Sequence, residues 1–181
     1  MMKVNRVASS LYYFYPEQKN FSSMETLTKN EVKEMTWNEK VFLTKRSNVA
    51  FDKLPAFFGE AYSTIYSAIQ NQGLSAEGMP FAFYYDIDEF KKETDVAAAV
   101  AVNGQVPELT DFKKVVIPKS KVITTTHYGS YESMGPAYEE LEKYLKSHSL
   151  KKLLMIEEYF SDPTVEKDTS KWKTNIYFIV K

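Results

Sequence analysis

The residues with the clearest capacity for chemistry are a carboxylate and a phenol two positions apart, Glu157 and Tyr159. In a β-strand they share one face with Met155, while the opposite face carries the more apolar Leu154 and Ile156. We expect the more apolar face to pack on helices, which puts Glu157 and Tyr159 in an open cleft. A carboxylate among tyrosine rings attracts cations through its charge and through the ring faces. The alternative is that Glu157 is solvated or paired with a nearby lysine.

The composition excludes several other kinds of site. The 181 residues carry a net charge of −1 and no cysteine, so they offer no basic surface for nucleic acid and no sulfur ligand. His127 and His148 have no acidic residues at metal-ligand spacing, and the glycines form no phosphate-binding loop. No segment has the ~20 apolar residues of a membrane helix. We therefore expect a cytoplasmic protein that binds no nucleic acid, membrane, metal or cofactor.

A pattern that occurs twice, 76 residues apart, predicts the elements that position Glu157 and Tyr159. Each copy centres on an amphipathic helix, because the repeated positions have the spacing i, i+3, i+4, i+7, i+11 of one helix face. The matching pairs are Phe58 and Met134, Ala61 and Ala137, Tyr62 and Tyr138, Ile65 and Leu141, Ile69 and Leu145, and Leu74 and Leu150. Core packing is the usual role of the two helix tyrosines, although their hydroxyls could reach a cleft. Two copies are too few for a solenoid, so we interpret them as half-domains with a ligand cleft between them.

Each copy has the order strand, helix, strand, strand. The predicted elements are a strand at 40–46, a helix at 53–72 and strands at 81–85 and 96–102, then a strand at 121–127, a helix at 134–148 and strands at 153–160 and 172–180. The predicted fold is α+β, with two β-α-β-β modules related by a pseudo-twofold axis, about eight antiparallel strands and two main helices. The modules span about 38–103 and 115–181 of a domain at 38–181. Residues 1–37 form an N-terminal extension, in which residues 7–15 could be a strand.

The second module carries a motif that resembles a known family. Residues 157–163 have the pattern Glu-x-Tyr-x-x-Asp-Pro. The accompanying segments are Gly129-Ser130-Tyr131, Thr174-Asn175-Ile176, Tyr84-Tyr85-Asp86 and Asp95-Val96. With these residues the chain is similar, over 38–181, to the gyrase-inhibitor-like small-molecule-binding domain, also called the AraC-type effector-binding domain. Asn175 stands where that family usually has an acid, which weakens the expected preference for cations.

The resemblance implies a domain that binds amphipathic, often cationic aromatic compounds between its two halves. The family's central acid falls on Glu157, and its partner tyrosine falls on Tyr159. We name three further candidates for ligand contact, each of which core packing or strand anchoring also explains: Tyr85, Tyr128 and Trp172. An aromatic content of 15% suits a pocket lined by tyrosines, and it also suits ordinary strands.

Three functions remain open from the sequence. The leading one is an effector-binding or sensing domain that performs no chemistry and has no DNA-binding module of its own. The alternative is a hydrolase of reactive alkylating natural products, an activity that the resemblance implies for some relatives. Glu157 would then be a general base whose pKa is raised by burial, and Tyr159 would donate to the leaving group. The third is a module that binds or inhibits a protein partner, which a shallow acidic groove would favour over a closed pocket.

Overall fold

The computed structural model describes residues 30–163 and 165–181. The predicted strand at 7–15 lies outside the described residues. The strands are β1 (Lys33–Trp37), β2 (Lys40–Ala50), β3 (Ser75–Asp88), β4 (Glu93–Asn103), β5 (Lys113–Ile117), β6 (Ser120–Tyr128), β7 (Lys152–Tyr159) and β8 (Lys173–Val180). The helices are α1 (Leu54–Asn71) and α2 (Gly135–Ser147).

The strands form one antiparallel sheet in the order β1-β6-β8-β7-β3-β4-β2-β5. The predicted α+β class, with eight strands and two helices, is confirmed. Each half of the sheet contains one β-α-β-β series, and the halves meet where β7 pairs with β3. The duplication and its pseudo-twofold axis stay a prediction. Strand β1, which lies in the range given to the N-terminal extension, pairs with β6 and is part of the sheet.

Both helices pack on the same face of the sheet through the stripes that the repeat predicts. The matched positions from Phe58 to Ile69 and from Met134 to Leu145 are buried and join one core. A proline occupies the first turn of each helix, where a missing N–H costs nothing. Helix α1 packs mainly on β4 and β2, and α2 packs on β6 and β8. The gap between the helices therefore lies above β7 and β3.

The opposite face of the sheet has a core of its own, to which all eight strands contribute. Its buried members are Trp37, Phe42, Phe81, Phe83, Ala97, Ala99, Ala101, Ile117, Val122, Ile156, Tyr177 and Ile179. The ring of Trp37 in the edge strand β1 is only 6.3 Å from that of Phe81 in the central strand β3. This contact requires the sheet to curl, and the curl buries the face that no helix covers.

The sequence-based assignment of the two faces of β7 is wrong. Met155, Glu157 and Tyr159 lie on the helix face, whereas Leu154 and Ile156 pack in the core inside the curl. Because both faces of the sheet are buried, the more apolar face of a central strand does not mark the side of the helices. The cleft is the gap between the two helices and lies on the same side of the sheet as they do. Glu157 therefore faces both the helices and the cleft.

Candidate functional site

Glu157 lies at the centre of the sheet, where the two halves meet. It pairs with Ala82 on β3 and with Ile176 on β8. Its side chain points to the helix face and is only 4% exposed. A glutamate is seldom buried to this extent unless it is paired, so its partners decide what it can do.

Three phenols surround the Glu157 carboxylate, and each comes from a different element. The hydroxyl of Tyr84 on β3 donates to Oε2 at 3.2 Å. The hydroxyl of Tyr159 on β7 donates to the same oxygen, and that of Tyr138 on α2 donates to Oε1. The hydroxyls of Tyr84 and Tyr159 are also 3.3 Å apart. Strand register and helix packing thus converge three donors on one acid.

The electrostatics of this cluster are those of a buried charge without a counter-ion. Burial raises the pKa of Glu157, and the hydrogen bonds from Tyr138, Tyr159 and Tyr84 oppose that rise. Burial and the negative charge of Glu157 raise the pKa of each tyrosine well above its usual range, so the phenols remain donors. Over residues 30–163 and 165–181, no lysine or arginine forms a salt bridge with Glu157.

A cavity of about 350 Å³ lies against this cluster, between β3, β7 and α2. Tyr84 and Tyr138 form part of its wall and separate it from Glu157. The remaining lining residues are Tyr85, Asp86, Ile87, Glu89, Glu142, Lys152, Leu153, Leu154 and Met155. The lining is therefore aromatic and apolar, with a predominantly acidic set of charged groups. Such a cavity fits an organic molecule of modest size.

Further aromatic rings hold Tyr159 in place. The ring of Phe58 on α1 meets Tyr159 edge to face at 6.3 Å, and the ring of Tyr131 does so at 5.6 Å. Trp172 packs on Tyr131 at 5.0 Å and donates from Nε1 to the carbonyl of Glu166 at 2.9 Å. These contacts fix the orientation of the phenol that bonds to the acid.

The structure brings together two of the five residues that the sequence proposes for the site. Glu157 and Tyr159 are in direct contact. Tyr85 lines the cavity, but its ring packs towards the core inside the curl. The guanidinium carbon of Arg46 lies 3.6 Å from the centroid of that ring. Tyr128 ends β6 and is 44% exposed. Trp172 packs on Tyr131, which in turn contacts Tyr159.

Sequence reasoning missed Tyr84 and gave Tyr138 a role mainly in the core. Tyr84 belongs to the aromatic pair that carries the family resemblance, yet the alternation within β3 does not reveal which member faces the helices. The register of β3 against β7, which pairs Tyr84 with Met155, decides it. For Tyr138 the signal is its place in the buried stripe of α2, above the gap.

A second acid, Glu158, lies beside Glu157 on the other face of β7. Its carboxylate accepts from the hydroxyl of Tyr177 at 2.6 Å and from the amide of Asn175 at 3.3 Å. Burial raises the pKa of Glu158, while those two hydrogen bonds and the positive charges of Lys40 and Lys173 lower it. Asn175, at the position that departs from the family motif, therefore donates to Glu158, which an acid at this position could do only if it were protonated.

The α+β fold with a tyrosine-lined cavity beside a buried acid defines a small-molecule-binding domain. The chain belongs to the GyrI-like small molecule binding domain family, whose sequence model matches residues 31–181. A search of curated protein sequences found no match. No helix among the described residues has the length and apolar character needed to span a membrane.

Solved structures with the same fold come from regulators and from proteins described as hydrolases. The EcmrR chain of an EcmrR–DNA complex has a TM-score of 0.71 at 23% identity, over 83% of this chain. This chain spans 57% of that EcmrR chain and 97% of the isolated EcmrR C-terminal domain, for which the TM-score is 0.69. A hydrolase encoded by lin2189 from Listeria innocua has a TM-score of 0.63 at 13% identity, with coverage of 84% of this chain and 93% of that one.

SAV2435, solved with bound tetraphenylphosphonium, has a TM-score of 0.58 at 12% identity, with coverage of 83% of this chain and 94% of that one. At these identities the comparisons establish a shared fold.

Proposed function

We propose that this domain binds amphipathic organic ligands that carry a cationic centre beside aromatic or apolar groups, and that it senses them without chemistry. One observation carries the proposal: the buried Glu157 carboxylate accepts hydrogen bonds only from phenols and has no cationic partner among the described residues. Isolated buried charge costs several kcal/mol. A ligand cation in the adjacent cavity would supply the missing counter-charge.

The cavity wall suits such a cation even while Glu157 stays covered. The hydroxyls of Tyr84 and Tyr138 donate to the carboxylate, and both side chains line the cavity. A phenol that donates to an anion has a more electron-rich ring, which attracts a cation more strongly. Ile87, Leu153 and Met155 offer apolar surface to the rest of the ligand.

Two of the structures with the same fold support this proposal. SAV2435 is described as bound to tetraphenylphosphonium, a lipophilic cation. The part of EcmrR that this chain matches includes its C-terminal domain, and EcmrR itself was solved with DNA. The corresponding role here would be that of an effector-binding domain.

A thermal-shift experiment tests the proposal on the unmodified protein. Tetraphenylphosphonium at 100 times its Kd should stabilise the folded state by about 2.7 kcal/mol, or roughly 5–11 °C in Tm for a domain of this size. Triphenylphosphine oxide, a neutral compound with similar rings, should give a much smaller shift at equal concentration. Equal shifts for the two compounds, or no shift with either, would reject a cation-binding site.

A second candidate function is hydrolysis of reactive alkylating compounds at the same cluster. The observations that favour it are the burial-raised pKa of Glu157 and the direct bond to Tyr159, and the Listeria innocua relative is described as a hydrolase. Water would attack a strained ring carbon while Glu157 takes a proton from the water and Tyr159 gives its proton to the departing oxygen. Incubation with styrene oxide should then yield the diol faster with the wild type than with Glu157→Gln. Identical rates would exclude this role for Glu157 towards this epoxide.

A further inference from the structure

The mouth of the cavity already holds a cation that belongs to the protein. The ammonium group of Lys152, at the start of β7, lies 4.5 Å from the ring centroid of Phe178 and 2.5 Å from Oε1 of Glu142. The ring of Phe178 stacks on that of Tyr138 at 6.3 Å. Lys152 thus occupies an aromatic and acidic position of the kind that suits a ligand cation.

The lining of the cavity contains more acidic than basic residues, so the charge of Lys152 strongly affects the electrostatics of the entrance. Three acids line the cavity, namely Asp86, Glu89 and Glu142, and within the described part of the chain Lys152 is the one basic residue among the lining residues. Its side chain is 36% exposed and that of Glu142 is 42% exposed, so solvent reaches the pair. The pair contributes little to stability for that reason, but it fixes a positive charge at the entrance.

We propose that Lys152 is a specificity-determining residue of the cavity, where it fills the outer cation position and restricts ligands to a single cationic centre. This inference rests on the proposed cation-binding function. With Lys152 present, Glu142 is neutralised, and Glu157 is the buried acid beside the cavity that has no salt bridge among the described residues. A dication would bring its second charge against Lys152, and the two like charges would repel.

Two substitutions within this one salt bridge separate a selectivity role from a structural one. Loss of a structural ion pair would move ligand affinity in the same direction whichever partner is removed. Under the proposal, Lys152→Met removes the repulsion and exposes Glu142, so affinity for cations rises. Glu142→Gln leaves Lys152 unpaired at the mouth, so affinity for cations falls. Methionine keeps the apolar stem of the lysine and its packing.

The experiment measures the Kd of tetraphenylphosphonium and of butane-1,4-bis(triphenylphosphonium) by titration calorimetry. Lys143→Met is the matched control, because Lys143 pairs with Glu140 on α2, outside the cavity lining. We expect Lys152→Met to bind the monocation roughly three- to tenfold more tightly and the dication by a larger factor. Glu142→Gln should bind both more weakly, and Lys143→Met should match the wild type within about twofold.

The outcomes distinguish this inference from the proposed function. If the wild type binds tetraphenylphosphonium but Lys152→Met behaves like Lys143→Met, or both pair substitutions weaken binding, the role of Lys152 is rejected and the cation site stands. If neither the wild type nor Lys152→Met binds either probe, the proposed function fails together with the inference. Binding by Lys152→Met alone would support both, because Lys152 would then exclude the monocation as well.

Discussion

Two adjacent glutamates on one strand have opposite relations to the rest of the protein. Glu157 faces the helices, is 4% exposed and has three phenol partners, and it forms no salt bridge with a lysine among the described residues. Glu158 faces the curl and is half-buried, and in addition to its hydrogen bonds the positive charges of Lys40 and Lys173 act to lower its pKa. Burial raises the pKa of both. The field of two lysines thus favours the ionised form of Glu158, whereas Glu157 has no cationic partner among the described residues.

Because their surroundings differ, we expect substitution of Glu157 and substitution of Glu158 to have different effects. Removing the charge of a balanced acid leaves neighbouring lysines that water can solvate. Removing the charge of an unbalanced acid relieves a desolvation cost and takes away the partner of any bound cation. The raised pKa alone does not separate the two cases, because burial produces it on both faces of β7.

The largest expected effect is on affinity for a cation. Glu157→Gln is nearly isosteric, yet it should weaken tetraphenylphosphonium binding by at least about 30-fold, the equivalent of roughly 2 kcal/mol for loss of one partner of a desolvated charge pair. Glu158→Gln should stay within about twofold of the wild type, because its side chain lies on the far face of the sheet. Titration calorimetry on the wild type and the two variants measures these affinities. Equal losses of affinity in the two variants would contradict the distinction between Glu157 and Glu158.

The second effect concerns how stability depends on pH. The pKa of Glu157 is higher in the folded state than the ordinary value of 4.5. The stability that this shift provides is fully present below pH 4.5 and is lost as the pH rises through the folded-state pKa. Glu157→Gln lacks that loss, so its stability relative to the wild type should increase from pH 4.5 towards neutral pH.

Urea unfolding at a series of pH values measures this trend. Glu158→Gln is the control, and its relative stability should change less with pH, because Lys40 and Lys173 favour the ionised form of Glu158. A flat difference between Glu157→Gln and the wild type would show that the three phenols fully compensate for burial. The carboxylate would then need no ligand cation.

The smallest effect concerns hydroxyls on the two faces of the sheet. Thr174, next to Tyr159 on the helix face, has a buried hydroxyl without a hydrogen-bond partner in the described part of the chain. On the other face, the hydroxyl of Thr126 donates to Asn175 at 2.8 Å, beside Glu158. Thr174→Val should therefore leave the free energy of unfolding unchanged or raise it by up to about 1 kcal/mol, a Tm increase of roughly 2–4 °C.

Thr126→Val is the matched control, and it should lower the free energy of unfolding by about 0.5–1.5 kcal/mol. Chemical denaturation of both variants gives the comparison. Equal losses would mean that a buried water holds the Thr174 hydroxyl, in which case the surroundings of Glu157 are as well satisfied as those of Glu158.

The sequence predicts secondary-structure elements well where apolar residues recur at a regular spacing. The stripes from Phe58 to Ile69 and from Met134 to Leu145 are buried, because a 3.6-residue period leaves one apolar face for a helix. The α+β class follows from the order of elements and the alternation in the strands. The sequence does not predict the edge strands β1 and β5, because their mostly exposed residues show little alternation of apolar and polar side chains.

Which residues meet at the site depends on strand register and helix orientation, and the sequence pattern predicts neither. Glu157 and Tyr159 are adjacent through the alternation of one strand, so the motif predicts them together. Tyr84 joins them through the β3–β7 register, and Tyr138 joins them through the way α2 is rotated on the sheet. Which face of β7 meets the helices could not be read from hydrophobicity either, because the curl buries both faces.

The most direct test of the central claim is the pKa of the two glutamates in the presence and absence of a cation. Carboxyl-¹³C NMR titrations of glutamate-labelled protein, assigned with Glu157→Gln and Glu158→Gln, give both values. Saturating tetraphenylphosphonium should lower the pKa of Glu157, because a nearby positive charge favours the ionised carboxylate, and should leave that of Glu158 unchanged. An unchanged pKa for Glu157 in the saturated protein, or equal shifts for both residues, would contradict the account.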